Sequence, residues 1–335
     1  MRKVFPILLI GSLSMLFAEV FSGASQTWFI NGWGIIVTFP LYLCHLLFFL
    51  WIALKSRRTT LSQLYLFGVI FALYESWITK VLWAGYMDSA GPGLGTLFGI
   101  GISEFPVLVF FWHPIMSFII PILVFEILTK KVFKGHESIL IKTTKKTILI
   151  TLFLISISTF IANGNGFDLL SSNASLIGTL LIISVLYYLT KKADLKSLEL
   201  RKVSFVLLTI YLVTLYVATF FYLLPERIPT AIVPYISIIA FYVIPIILIL
   251  KSDKTTIEIN TLKENSYSIR DFTKFMTITI LAVNVACFIP NISTGILAIT
   301  YYSLAIIGTI IFVMIIYNTL KQIIAKDMET HITKT

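Results

Sequence analysis

The chain is a succession of long apolar runs: Val4–Phe21, Gly34–Leu54, Leu61–Trp83, Phe105–Leu128, Thr147–Ala162, Ala174–Leu189, Val203–Leu224, Thr230–Leu250, Phe275–Ile289 and Thr294–Tyr317. Each is long enough, or nearly so, to cross a hydrocarbon core that takes about 20 residues as a helix. In lipid every backbone N–H and C=O must find a partner inside the protein, so only helices and closed barrels can span. The runs are continuously apolar and lack the period-two alternation of barrel strands, which selects helices. The expected fold is an all-α polytopic transmembrane bundle of about ten spans. A composition of 58% hydrophobic and 13% charged residues excludes a soluble globule, which needs more polar surface than this.

The loops between the runs alternate in charge. Basic residues sit at Arg2 and Lys3, then at Lys55, Arg57 and Arg58, then from Lys130 to Lys146, Lys191 to Lys202, Lys251 to Lys274, and from Lys321 onward. The intervening loops hold almost none; Arg227 stands beside Glu226, and Lys80 falls inside a run. By the positive-inside rule both termini and the basic loops are expected in the cytoplasm, with the protein integral to the plasma membrane. This asymmetry accounts for the net charge of +10 without nucleic acid, and makes anionic headgroups the natural partners of the basic loops. Cys44 and Cys287 both fall within runs and read as small buried hydrophobes. Arg2 and Lys3, the first run and Ser22-Gly23-Ala24 together mimic a signal peptide, but the run is long enough to remain as an anchor and Glu19 does not suit an h-region.

The ionisable residues are placed unevenly. Glu19, His45, Glu75, Lys80, His113 and Glu126 lie in the first four runs, Glu104 opens the fourth from the position just before it, and the last six runs carry no Asp, Glu, Lys, Arg or His. Such groups are costly in hydrocarbon, so each needs a function or a partner. The chain divides accordingly into a polar four-span block, residues 1–130, and a six-span apolar packing block with a cytoplasmic tail, residues 131–335.

Counting about 1.5 Å per helical residue places Glu19, Glu75, Glu104, His45 and His113 at overlapping depths in the outer half of the membrane. If the helices face one another, that is the geometry of an acid/base or metal site. Glu75 and His113 are the leading catalytic candidates, and the candidate ligands should a divalent metal bind. Glu19, Glu104, His45 and Ser117 rank second; Ser117 stands four residues after His113, on the same helix face, where it can orient the imidazole. Pro114 adds a kink and frees a backbone carbonyl one turn back. Glu104 also reads as an ordinary first-turn acid after Ser103. Glu126 is expected to pair with Lys130 at i+4, and Lys80 to snorkel outward. The glycine-rich segment Gly85–Ser103 reads either as a re-entrant or lid-like element or as a flexible interfacial loop.

The block Ala18-Glu19-Val20-Phe21-Ser22-Gly23, Leu73-Tyr74-Glu75 and His113-Pro114 with Ser117, Pro121-Ile122-Leu123 and Glu126 resembles a set of uncharacterised prokaryotic multi-span proteins. Glu75, Phe110 and His113 more distantly resemble the CAAX protease and bacteriocin-processing (CPBP) intramembrane family, which uses a Glu-Glu-x-x-x-Arg motif and later histidine motifs. Here Glu75 has no adjacent Glu and no Arg, Phe110 and His113 are one residue too close, and no later run holds a histidine. The functional expectation is a membrane protein with a Glu/His site open to the external face. It is read as a hydrolase or transferase on a lipid-like or membrane-embedded substrate, with a proton-coupled carrier and a non-catalytic assembly protein as alternatives.

Overall fold

A computed structural model describes residues 4–190 and 193–332. Arg2, Lys3 and Lys191, counted above among the basic groups, lie outside the described residues. The helices are α1 Val4–Val20, α2 Gly34–Ser56, α3 Leu61–Ala72, α4 Tyr74–Trp77, α5 Val81–Ala84, α6 Pro106–Thr129, α7 Glu137–Leu140, α8 Thr144–Gly164, α9 Leu169–Leu189, α10 Lys202–Tyr222, α11 Val233–Lys251, α12 Ile269–Phe288 and α13 Pro290–Ile332. Two small antiparallel pairs complete the fold: β1 Thr96–Leu97 with β2 Ile100–Gly101, and β3 Lys131–Phe133 with β4 Ile259–Thr261.

Eight of the described helices are long and apolar enough to span: α2, α6 and α8 to α13. The other two expected spans are the short α1 and the interrupted α3–α4–α5, and these carry Glu19 and Glu75. The third run breaks at Leu73 and again at Lys80, whose backbone is left-handed with φ 59°.

The bundle has an inner layer and a shell. In α6, 83% of the apolar window is buried, against 11% in α10 and 17% in α13. The outer helices turn Val, Ile, Leu and Phe side chains outward, as lipid-facing helices do. They pack on the first block in turn: α9 on α1, α10 on α2, α11 on α3 and α13 on α6.

The loops sort to two opposite ends. At the basic end the Thr255 N–H donates to the Arg57 carbonyl at 2.7 Å, Lys142 N–H to Asn265 at 3.0 Å, and β3 pairs with β4. At the other end the Gly23 and Gly164 backbones touch; a Cβ on Gly164 would lie 2.2 Å from the Gly23 carbonyl oxygen. There Arg227 donates to the carbonyls of Gly85 and Met87, each at 2.8 Å, and Ser237 to that of Phe98 at 2.8 Å. The glycine-rich segment is therefore a β-turned hairpin anchored across this end.

Two pairing expectations are corrected. Glu126 does not serve Lys130, whose left-handed backbone (φ 56°) ends α6. Its carboxylate accepts from the Phe133 N–H at 2.8 Å and from His136 Nδ1 at 3.0 Å, while His136 Nε2 reaches the Thr59 carbonyl at 2.8 Å. Lys80 does not snorkel outward either. It is fully buried, and its ammonium donates to the Thr219 carbonyl at 2.7 Å and to that of Leu223, capping the end of α10. Those carbonyls are the unsatisfied acceptors of a helix C-terminus, where a cation is favoured.

Candidate functional site

The site forms where three inner helices are irregular. In α6 the stretch Pro106–Ile119 is wound with wide π-type turns, and Pro114 within it donates no backbone hydrogen bond. The Phe110 carbonyl, one turn before the proline, accepts from the Tyr65 hydroxyl of α3 at 2.6 Å. Gly68 lets α3 lie against this turn: a Cβ there would sit 2.6 Å from Pro114 Cα. The last turn of α1, Leu16–Val20, is also π-wound, and the Ala18 carbonyl accepts from the Trp112 indole N–H at 2.9 Å. The break at Leu73 then turns α4 so that Glu75 meets α6.

His113 Nε2 lies 3.0 Å from Glu75 Oε1, and His113 Nδ1 lies 3.0 Å from Ser117 Oγ. Glu75 Oε2 accepts from the Thr79 hydroxyl. With Glu75 ionised, Nε2–H donates to it and the Ser117 hydroxyl donates to Nδ1. A further proton on Nδ1 only requires that hydroxyl to rotate and accept.

A second carboxylate is linked to the first. Glu19 accepts from the hydroxyls of Ser25 and Tyr42. Tyr42 and Tyr74 hydroxyls are 2.8 Å apart, and Tyr74 lies beside the Glu75 carboxyl. With the Tyr42 proton directed to Glu19, Tyr74 donates to Tyr42. A proton arriving from Glu75 would reverse the order. Glu19 and Ser25 are half-buried at the end away from the basic loops, whereas Tyr42, Tyr74 and His113 are each 2% exposed. The network thus reaches the surface at that end through Glu19.

His45 lies one layer away. Its Nδ1–H donates to the Leu41 carbonyl at 2.8 Å, its Nε2 accepts from the Tyr216 hydroxyl at 2.9 Å, and its ring stacks on Phe71 at 4.8 Å. Glu104 stands apart: it accepts from the Gly93 N–H at 2.7 Å and the Ser103 hydroxyl at 2.8 Å, and so holds the hairpin. Among the described residues no three His, Cys, Asp or Glu side chains converge as a metal set. Both imidazole nitrogens of His113 already face Glu75 and Ser117. The arranged donors do not fit the three or four ligands that hold a catalytic zinc.

Sequence reading missed Tyr42, Tyr74, Thr79, Tyr216 and His136. The signal for the tyrosines was present, since a phenol inside a span must find a partner. Tyr74 adjoins Glu75, and Tyr42 precedes His45 by one helical turn.

An uncharacterized membrane protein family matches residues 8–326. The chain belongs to that family. An uncharacterized protein of Archaeoglobus fulgidus is 46% identical over 119 residues, which cover 36% of this chain and 37% of that relative. The alignment spans little more than a third of the relative's length. No solved structure matches. These matches give no support to the likeness to the CAAX protease and bacteriocin-processing family, which rests on Glu75, Phe110 and His113 alone.

Proposed function

We propose that this member of the uncharacterized membrane protein family is an intramembrane enzyme, a hydrolase or transferase acting on a lipid-like or membrane-embedded substrate. Glu75 and His113 form its acid–base pair. The observation that supports this reading is the one-sidedness of the hydrogen-bonded network. Hydrogen bonds join His113 to Glu75, and Tyr74 through Tyr42 to Glu19 and Ser25 at one end, with Tyr74 beside the Glu75 carboxyl. Toward the basic end Phe118, Ile122 and Phe125 are fully buried and close the way. A carrier needs access to both faces; an enzyme needs only one.

In this reading Glu75 accepts a proton from a water or substrate hydroxyl, and His113 shares the charge. Ser117 follows the tautomer, and Glu19 exchanges the proton with the outside through the two phenols. Such proton transfer contributes typically about 10²–10⁴-fold to a rate. No step runs through a metal. The setting is the plasma membrane, with the basic loops cytoplasmic and the site open outward.

A proton-coupled carrier is the second reading, favoured by the discontinuous span that holds Glu75, a feature of transporter binding sites. One experiment separates the two. Proteoliposomes carrying total membrane lipid are incubated in ¹⁸O-water and the lipids are analysed by mass spectrometry. A labelled product lost in Glu75→Gln and His113→Gln indicates hydrolysis, and an unlabelled one indicates transfer. Unchanged lipids, with a protein-dependent proton flux under an imposed pH gradient, would overturn the enzyme in favour of the carrier.

A further inference from the structure

The basic end carries a cleft of about 510 Å³ that the site above does not use, lined by Leu54, Lys55, Arg57, Lys196, Glu199, Thr256 and Ile257. We infer that this cleft binds a phosphate-bearing anion, supplied as the headgroup of an anionic lipid.

The first argument is charge. Three cations face one anion here: Lys55, Arg57 and Lys196 against Glu199. Lys55 is paired with Glu199. Arg57 and Lys196 are exposed, and among the described residues neither side chain makes a hydrogen bond or an ion pair. Two adjacent positive charges therefore remain without a counter-charge, at a leaflet whose surface is negative. An arginine fork and a lysine ammonium together suit a phosphate, the first by paired N–H donors and the second as a point charge.

The second argument is mounting. Arg57 is the left-handed cap of α2 (φ 57°), and its carbonyl is held by the Thr255 N–H at 2.7 Å and the Thr255 hydroxyl at 3.1 Å. Lys196 rides on a single 3₁₀ turn, Leu195–Leu198, capped by Asp194, which accepts from the Ser197 N–H at 2.8 Å. Leu195 and Leu198 anchor that turn in the core. The two cations thus project from firm backbone, so less ordering is needed on binding.

The third argument places the cleft at the lipid surface. Its floor is apolar, with Leu54 buried and Ile257 half-buried. One turn earlier on α2, the Trp51 indole N–H donates to the Leu200 carbonyl at 3.1 Å, and Lys55 lies 5.9 Å from that ring. A half-buried tryptophan with a polar contact marks the headgroup level of a span. A free phosphate would use the cations alone; a lipid would use the apolar floor as well.

The test uses the whole protein in phosphatidylcholine nanodiscs. Short-chain phosphatidylglycerol and, separately, inorganic phosphate are titrated in, and bound molecules are counted by native mass spectrometry. The expected result is saturable binding of phosphatidylglycerol, weakened about fivefold by Arg57→Gln and again by Lys196→Gln. Lys145→Gln, which removes a charge from the same end outside the cleft, should bind as wild type. Both cleft positions are exposed, and unchanged melting temperatures verify that the variants fold. Inorganic phosphate binding as tightly as the lipid would keep the anion site and overturn the headgroup. No saturable binding of either probe, wild-type binding by both cleft variants, or equal weakening by Lys145→Gln would overturn the proposal.

Discussion

Glu75→Gln separates a working carboxylate from a structural one. The Glu75 carboxylate accepts from His113 Nε2 at 3.0 Å and from the Thr79 hydroxyl. A glutamine can turn its carbonyl to His113 and its amide to Thr79. Thr79 can then accept, because its hydroxyl already has the Glu75 backbone carbonyl at 2.9 Å as an alternative acceptor. Two charge-assisted hydrogen bonds become two neutral ones, at a cost of about 1 kcal/mol each. The expected loss is thus about 2 kcal/mol, a shift of a few degrees in melting temperature. Glu126→Gln is the comparator. Glu126 takes the Phe133 N–H and His136 Nδ1 on one oxygen with no solvent contact; a glutamine carbonyl can keep both bonds but leaves the buried His136 without its negative partner. Breaking a buried pair of this kind costs about 3–5 kcal/mol. Melting curves in nanodiscs, run beside the ¹⁸O-lipid assay, should show Glu75→Gln folded and inactive and Glu126→Gln destabilised. If Glu75→Gln unfolds like Glu126→Gln, or turns over like wild type, Glu75 is not the acid–base group. Lys80→Met is not expected to rescue it, since Lys80 serves α10 carbonyls instead.

Tyr42→Phe removes the hydroxyl between Glu19 and Tyr74; it should cost about 1–3 kcal/mol and slow turnover, while an unchanged rate would disconnect Glu19 from the mechanism. Gly68→Val should force α3 off Pro114 and lower stability by about 1–3 kcal/mol through overpacking; a melting point equal to wild type would refute the close approach. Reporter fusions after Arg58 should read cytoplasmic, and fusions near Asp88 and Asp168 external; reversal at both external sites would invert the topology. The His136 latch predicts a pH effect. Burial opposes its charge, but the Glu126 carboxylate and the Thr59 carbonyl outweigh burial, so His136 titrates above its ordinary range. A raised value in the folded state means that this stabilisation is complete below about pH 6.5 and is lost as pH rises through the raised value. Melting temperatures measured on both sides of neutrality should fall with pH, and His136→Gln should flatten that dependence; a parallel slope in the variant would exclude the latch.

Much of the fold was legible because hydrocarbon leaves few choices. Length and apolarity located the eight described helices that are long and apolar enough to span, since a run such as Val203–Leu224 has nowhere else to go. The same measure overlooked the irregular helices. Leu73 and Lys80 break the third run inside a continuous apolar pattern, and no proline or glycine sits at either position. What stabilises these breaks is distant in sequence: the α10 carbonyls that hold Lys80, and the α6 imidazole that holds Glu75. Depth counting brought Glu19, Glu75 and His113 to one level, because depth depends only on position along each helix. It misplaced Glu104, whose level is right but whose side chain turns to the hairpin. It also paired Glu126 by helical spacing with Lys130, when the chain had already left the helix and His136 lay closer in space.

The charges and the helix irregularities coincide for a common physical reason. A carboxylate in lipid needs donors around it, and a regular helix offers none, since its N–H groups point along its own axis. Wide turns and breaks displace side chains from the usual stripe and free backbone carbonyls. Neighbouring polar groups bond to carbonyls in these turns, as Tyr65 does to Phe110 and Trp112 to Ala18. Such an arrangement is stable only where lipid cannot reach it, because an unsatisfied backbone group facing hydrocarbon costs several kcal/mol. That condition explains the division of the sequence. The apolar runs of the six later helices carry no charge because they face lipid, and by facing lipid they keep the polar groups of the first block in a protein interior. The shell is thus part of the site's chemistry. A polar substitution on its inward face, such as Leu304→Asn on α13, should disturb Glu75 and His113 more than the same change at Ile306, which points outward.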